Sequence, residues 1–233
     1  MSTEKLKAEL IAAGSETKAR ELSRFFKTGK GEYGEGDKFI GVTVPANRAI
    51  TRRYLHLPAS QLVDLLRSEI HEVRLSALIG MVEQYKSRHT SEVQRQEIVD
   101  TYIANTRYIN NWDLVDLSAP QIVGQYLLDK ERDTLYKLTE SESLWNNRIA
   151  IVSTLTFIRN NDLDDTYKLS LKMMNHQHDL MHKSIGWMLR EAGKRDEKRL
   201  YNFVMEHKSI MPRTMLRYSI EKFTPDIRKE LMK

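Results

Sequence analysis

The chain has 233 residues, 40% hydrophobic and 30% charged, enough for a large core in one domain or in an elongated repeat array. It contains no cysteine, which excludes disulfides and thiolate metal sites and fits a reducing compartment. The net charge is +5, and residues 181–233 hold 13 Lys+Arg against 7 Asp+Glu, so the basic excess sits in the last fifty residues. That excess suits a polyanionic partner such as nucleic acid, or simply a solvated helical face.

Met1-Ser2-Thr3-Glu4-Lys5 is charged and leads into no apolar run of signal-peptide type, and no stretch reaches the length of a membrane span. A cytoplasmic chain with no membrane segment is the expectation. Residues 3–13 read as a short amphipathic helix with Leu6, Leu10 and Ile11 on one side, broken by Gly14 and Ser15. Residues 16–28 read as a second, carrying Leu22, Phe25 and Phe26. The glycine-rich stretch from Gly29 to Asp37 lacks the lysine and spacing of a P-loop and reads as a connector. Phe39-Ile40-Gly41-Val42 is a brief extended apolar piece. Thr43-Val44-Pro45 then starts a helix that carries Arg48, Arg52 and Arg53, with proline in its first turn. Pro58 opens another helix, bearing Leu62, Leu65 and Leu66.

Beyond this point the chain repeats itself. An apolar helix, a polar turn, a basic residue and a second apolar helix recur around Arg74, Arg148, Lys183 and Arg213. The missing register falls near residue 111, in Asn110-Asn111-Trp112-Asp113-Leu114-Val115-Asp116. A period near 35 residues with two helices per unit predicts an all-α fold, an α-solenoid of HEAT-like helical repeats with a concave face. The expected division is a single domain over 1–233, with N-terminal helices and the glycine-rich loop to residue 57 and tandem repeats from 58. Arg74, Trp112, Asp116, Arg148, Lys183, Trp187 and Arg213 then fall roughly along one track.

On a helix, Trp112 and Asp116 are one turn apart and share a face, which offers an aromatic surface beside an anion to something flat and cationic. The alternative is a core tryptophan near a helix end, with Asp113 or Asp116 capping free N–H groups. His176, His178 and His182 have the look of metal ligands but cross a turn, so no metal site is expected there. Met173, Met174, Met181 and Met188 read as core filler.

Three motifs in matching order resemble the AlkD family of DNA alkylation-repair glycosylases. They are Asn-Trp-Asp-Leu-Val-Asp at 111–116, Trp-x-x-Arg at 145–148 and Ile-Gly-Trp-x-Leu-Arg-Glu at 185–191. Lys38-Phe39-Ile40-Gly41-Val42-x-Val44-Pro45, followed by Arg48, adds to the likeness, which covers about residues 20–225. The resemblance implies hydrolysis of the N-glycosidic bond of N3- and N7-alkylated purines, such as 3-methyladenine and 7-methylguanine, in double-stranded DNA. It implies no metal or cofactor and no pocket that encloses the base. It makes Asp116 the catalytic carboxylate, Trp112 and Trp187 the aromatic pair and Arg148 the phosphate contact. Lys183, Arg190, Arg213 and Arg74 join Arg148 as expected DNA contacts on the basic track. The family often has a tyrosine in its N-terminal helix facing the lesion. Phe25 stands there in a loose alignment, keeping a ring without the hydroxyl, and is not counted in the site.

A cationic purine leaves without a general acid, so the oxocarbenium-like sugar is what needs help. A carboxylate can stabilise it and orient or deprotonate the attacking water. Indole faces can lie against the positive charge. The competing reading is a non-catalytic HEAT-repeat module that binds DNA or protein. An acid on a binding track separates the two, since a pure polyanion binder gains nothing from it. A monomer is expected, because a solenoid caps its own ends and duplex DNA would fill the concave face.

Overall fold

The computed structural model describes residues 2–233; Met1, the first residue of the charged N-terminus read above, lies outside them. Among the described residues there are fourteen α-helices and no strand, only a single parallel bridge between Lys38 and Ile70. No helix among them is long and apolar enough to cross a membrane. The chain divides into two compact units, the first ending at Ile122 and the second spanning Val123–Lys233.

The first unit begins with α1 (Thr3–Ala12), capped by the Ser2 hydroxyl and burying Leu6 and Leu10. Ile11 turns out to be half exposed, because the helix buries only the stripe spaced by four residues. After the break at Gly14, Ser15 caps α2 (Glu16–Phe25). This helix ends before the residue 28 expected from sequence, because Lys27 adopts φ 52 and turns the chain. The next helix, α3 (Val44–Thr51), has a Thr43 cap with proline in its first turn and passes into a 3-10 turn at Arg52–Tyr54. Such caps are each worth about 1 kcal/mol. Then come α4 (Ala59–Leu66), α5 (His71–Lys86), α6 (Glu92–Ala104) and α7 (Trp112–Ala119). α1 packs on α3 and α4, and α5 packs on α3, α4, α6 and α7, so the helices before residue 58 share their core with those after it.

α5 is the axis of this unit. Thirteen of its sixteen residues are buried, including Glu72, Arg74 and His71, so it has no polar face. Its charged groups are accommodated one by one. The Glu72 carboxylate accepts the N–H groups of Ile40 (3.1 Å), Gly41 (2.8 Å) and Val42 (3.3 Å). That fixes the extended piece before α3 against α5. Gly41 has φ +81, and a Cβ there would strike the Ser15 carbonyl, so this close approach needs glycine.

In the second unit α8 (Asp133–Thr139) packs on α9 (Leu144–Arg159), α10 (Asp164–Lys172) on α9 and α11 (Asp179–Gly193), and α12 (Glu197–His207) on α11. α9 packs on α11, which packs on α13 (Arg213–Ser219), and the chain ends with α14 (Pro225–Leu231). Gly186 on α11 lets α13 approach: a Cβ would meet Tyr218 Cβ at 2.5 Å and the Met215 carbonyl at 2.7 Å. Helices α5, α7, α9, α11 and α13 begin at residues 71, 112, 144, 179 and 213. The repeat of 32 to 41 residues matches the sequence reading, and the register left vacant near 111 is filled by α7.

Candidate active site

Trp112 opens α7, and its N–H is capped by the Asn111 side chain at 2.8 Å. The cap is therefore neither Asp113 nor Asp116. Asp116 lies one turn on, half-buried like Trp112. Behind them Tyr102 is fully buried against the Ser118 hydroxyl at 2.9 Å. Burial raises the Tyr102 phenol pKa strongly; the Ser118 bond works against that, and the Asp116 charge adds to the rise. Tyr102 thus stays a neutral neighbour of Asp116.

The Trp112 ring ends an aromatic cluster. Phe26 stacks on it at 5.2 Å and 20°, and Phe39 stacks on Phe26 at 5.0 Å. Phe39 also lies over the His71 ring at 4.6 Å. Phe25 meets Trp112 edge-on at 5.9 Å while remaining 62% exposed. Sequence reasoning left Phe25 out of the site; the structure places it beside Trp112. Adjacent phenylalanines at the end of α2 thus meet the same indole, Phe25 at an edge and Phe26 face to face.

Below the rings runs a buried charge network that the sequence did not reveal. Asp37, at the end of the glycine-rich stretch, accepts from Arg74 Nη2 (2.6 Å), from Asn111 Nδ2 (3.0 Å) and from His71 Nδ1 (3.2 Å). His71 Nε2 faces Asp113 at 2.8 Å. Two ionised carboxylates can only accept, so an imidazolium with both nitrogens protonated satisfies the geometry. Burial pushes the His71 pKa down, but its bonds to Asp113 and Asp37 outweigh that and raise it above the usual imidazole value. Burial likewise raises the Asp37 carboxyl. The bond from His71, the Arg74 charge and the Asn111 amide outweigh it and hold the pKa below the usual carboxylate value. The glycine-rich stretch is thus more than a connector: its last residue anchors α5 and α7.

These shifts give stability two pH limits. The contribution of Asp37 is present above its unfolded pKa of about 3.9 and lost as pH falls through the lower folded value. That of His71 is complete below its unfolded pKa of about 6.5 and lost as pH rises through the raised folded value. Urea unfolding across a pH series should show a maximum between these limits, with the alkaline fall flattened in His71→Gln. Equal stability losses for wild type and His71→Gln on the alkaline side would contradict this assignment.

Arg74 is only 4% exposed, with one arm on Asp37 and the other on the Ser68 carbonyl at 3.0 Å. A phosphate could take it only by displacing Asp37, so the expected DNA contact at Arg74 is replaced by a structural role. In the second unit Arg148 is 5% exposed and donates to the Leu180 carbonyl at 2.7 Å, tying α9 to α11. Lys183 pairs with Asp179 at 2.8 Å, and Arg190 pairs with Glu221. Trp187 is half-buried on α11, next to Gly186. Arg213, at the start of α13, donates to the Met232 carbonyl at 3.1 Å. Of the histidines, His178 Nδ1 caps α11 by accepting from Leu180 N–H (3.1 Å), and His176 Nδ1 accepts from His178 N–H (3.0 Å). These ring nitrogens spend their lone pairs on backbone donors. Burial lowers both pKa values, which favours the neutral acceptor form.

A solved structure described as a predicted DNA alkylation repair enzyme from Enterococcus faecalis is similar in fold. Its TM-score is 0.69 at 17% identity, over 91% of this chain and 97% of that one. No curated protein matches. A family model described as DNA alkylation repair enzyme matches residues 6–223, which spans both units and every residue of the candidate site. The chain belongs to the DNA alkylation repair enzyme family.

Proposed function

We propose that this protein is a DNA glycosylase that hydrolyses the N-glycosidic bond of cationic N3- and N7-alkylated purines in duplex DNA. The observation that carries the reading is the pair Trp112 and Asp116, one turn apart on α7, in a chain of the alkylation repair family. Asp116 stabilises the developing oxocarbenium charge and orients or deprotonates the attacking water. The Trp112 face lies against the same positive charge. Trp187 is the second ring, the role that the AlkD resemblance gives it, and Lys183, Arg190 and Arg213 on the basic track are the candidates for phosphate contact. Arg148, the family's phosphate contact by the same resemblance, would have to turn from the Leu180 carbonyl to take that role. The departing purine carries its own positive charge, so no general acid is required.

That chemistry makes a specific selectivity. Release should follow the lability of the bond, so 7-methylguanine and 3-methyladenine are expected to leave the duplex while neutral bases such as uracil are retained. Chromatography of the bases freed from duplexes carrying one lesion each checks this. Comparable release of a neutral base would overturn the acid-free mechanism. DNA binding with steep salt dependence and no release of any base would instead support the binding module.

A further inference from the structure

His71 is 2% exposed, and the chemistry proposed above does not use it. It nevertheless connects to both residues that flank Trp112. Nε2 meets Asp113 at 2.8 Å, and Nδ1 meets Asp37, which also accepts from the Asn111 amide at 3.0 Å. Asn111 caps α7, and Asp113 lies in its first turn. The histidine is itself held in place. Its backbone N–H donates to the Lys38 carbonyl at 2.8 Å, and Phe39 and Phe26 lie against its ring at 4.6 and 5.0 Å. Phe26 is also the ring that stacks on Trp112.

The charges that face the imidazole are Asp113 from α7, Asp37 from the glycine-rich stretch and Arg74 from α5 itself. With His71 protonated, two cations balance two carboxylates. A neutral imidazole keeps a single N–H, so one carboxylate would then face a lone pair. Whichever nitrogen loses its proton, a tie to α7 weakens: Asp113 directly, or Asp37 and through it Asn111. Asp113 has little else to hold it, since its Oδ1 is buried with no hydrogen-bond partner among the described residues. α7 has only eight residues, so a shift of its first turn carries Asp116 along with Trp112.

We propose that His71 is a positioning residue for the Trp112–Asp116 pair, whose imidazolium fixes the first turn of α7 from both sides of Trp112. Its effect on base release rests on the proposed glycosylase function; its hold on Trp112 does not.

The test follows single-turnover release of 7-methylguanine from a duplex at saturating full-length protein between pH 6 and 9, beside DNA affinity. His71→Gln offers a donor to one carboxylate and a carbonyl to the other. It should slow release about tenfold at pH 7 with DNA affinity little changed. The wild-type rate should fall on the alkaline side as the imidazolium is lost, and His71→Gln should lack that fall. Asp113→Asn removes an anion that favours the imidazolium, so its fall should come about 1 pH unit lower. A residue that only supported the fold would lower the rate alike at every pH. Melting curves at each pH establish that the variants are folded. The proposal is overturned by a His71→Gln rate equal to wild type, by alkaline profiles that coincide in the two, or by a fall that Asp113→Asn leaves in place.

A second readout needs no catalysis. Trp145→Phe combined with Trp187→Phe leaves Trp112 as the only indole. Its emission should titrate over the same alkaline range, and adding His71→Gln should remove the titration. If the wild type releases no base, the glycosylase reading fails and the emission decides alone. A titration abolished by His71→Gln sustains the positioning of Trp112, and an emission indifferent to His71 refutes it.

Discussion

Asp37→Ala is expected to cost about 3–5 kcal/mol, because it leaves the Arg74 guanidinium buried without its anion. Natural domains are stable by only about 5–15 kcal/mol, so the loss is a large share of the total. In a protein of this size it should lower the melting temperature by about 10 °C. The desolvation of Arg74 is already spent in the native state, and the carboxylate 2.6 Å away offsets it more than the neutral Ser68 carbonyl can. Asp37→Asn retains an acceptor and the shape but not the charge, and should lose less. Replacing both partners, as Asp37→Ala with Arg74→Met, should be milder than Asp37→Ala alone, since no stranded charge remains. Urea unfolding of the three variants checks the order. A double variant that is the least stable of the three would show that the pair is not the source of the effect.

Asp116→Asn is expected to slow base release by about 10²–10³-fold under single-turnover conditions, the usual effect of removing one preorganised electrostatic group. Asparagine is nearly isosteric, so DNA affinity and the melting temperature should change little. The neutral amide cannot take a proton from water, and it offers only a dipole to the oxocarbenium charge. Reduced binding with an unchanged chemical step would place Asp116 in recognition rather than catalysis.

The two predictions concern groups that differ in how far the sequence exposed them. That Trp112 and Asp116 share one helical turn was legible because both lie within five residues, on a helix whose position followed from the repeat. The helices themselves were legible from apolar spacing and from start and stop signals such as the break at Gly14 and Ser15, Thr43-Val44-Pro45 and Pro58. The charge network was not. Asp37, His71, Arg74, Asn111 and Asp113 come from three separate stretches, and each alone reads as an ordinary surface polar residue. Arg74 was read as a DNA contact because its register matched Arg148 and Lys183. Register fixes a position along a helix, but α5 is buried on nearly every side, so that position faces a carboxylate instead of solvent. Arg148 shows the same limit on α9, where twelve of sixteen residues are buried. Phe25 is the last residue of α2 and meets Trp112 from a stretch far away in the sequence, a contact that no local pattern exposes.

Those particulars leave one claim central: that this chain breaks a glycosidic bond. A duplex carrying a single 7-methylguanine, incubated with excess wild-type protein in EDTA, tests it most directly. The account predicts free 7-methylguanine and an abasic strand in equal amounts, forming far faster than spontaneous loss. Fully bound DNA that releases base only at the spontaneous rate would contradict it and leave Trp112 and Asp116 without a catalytic role.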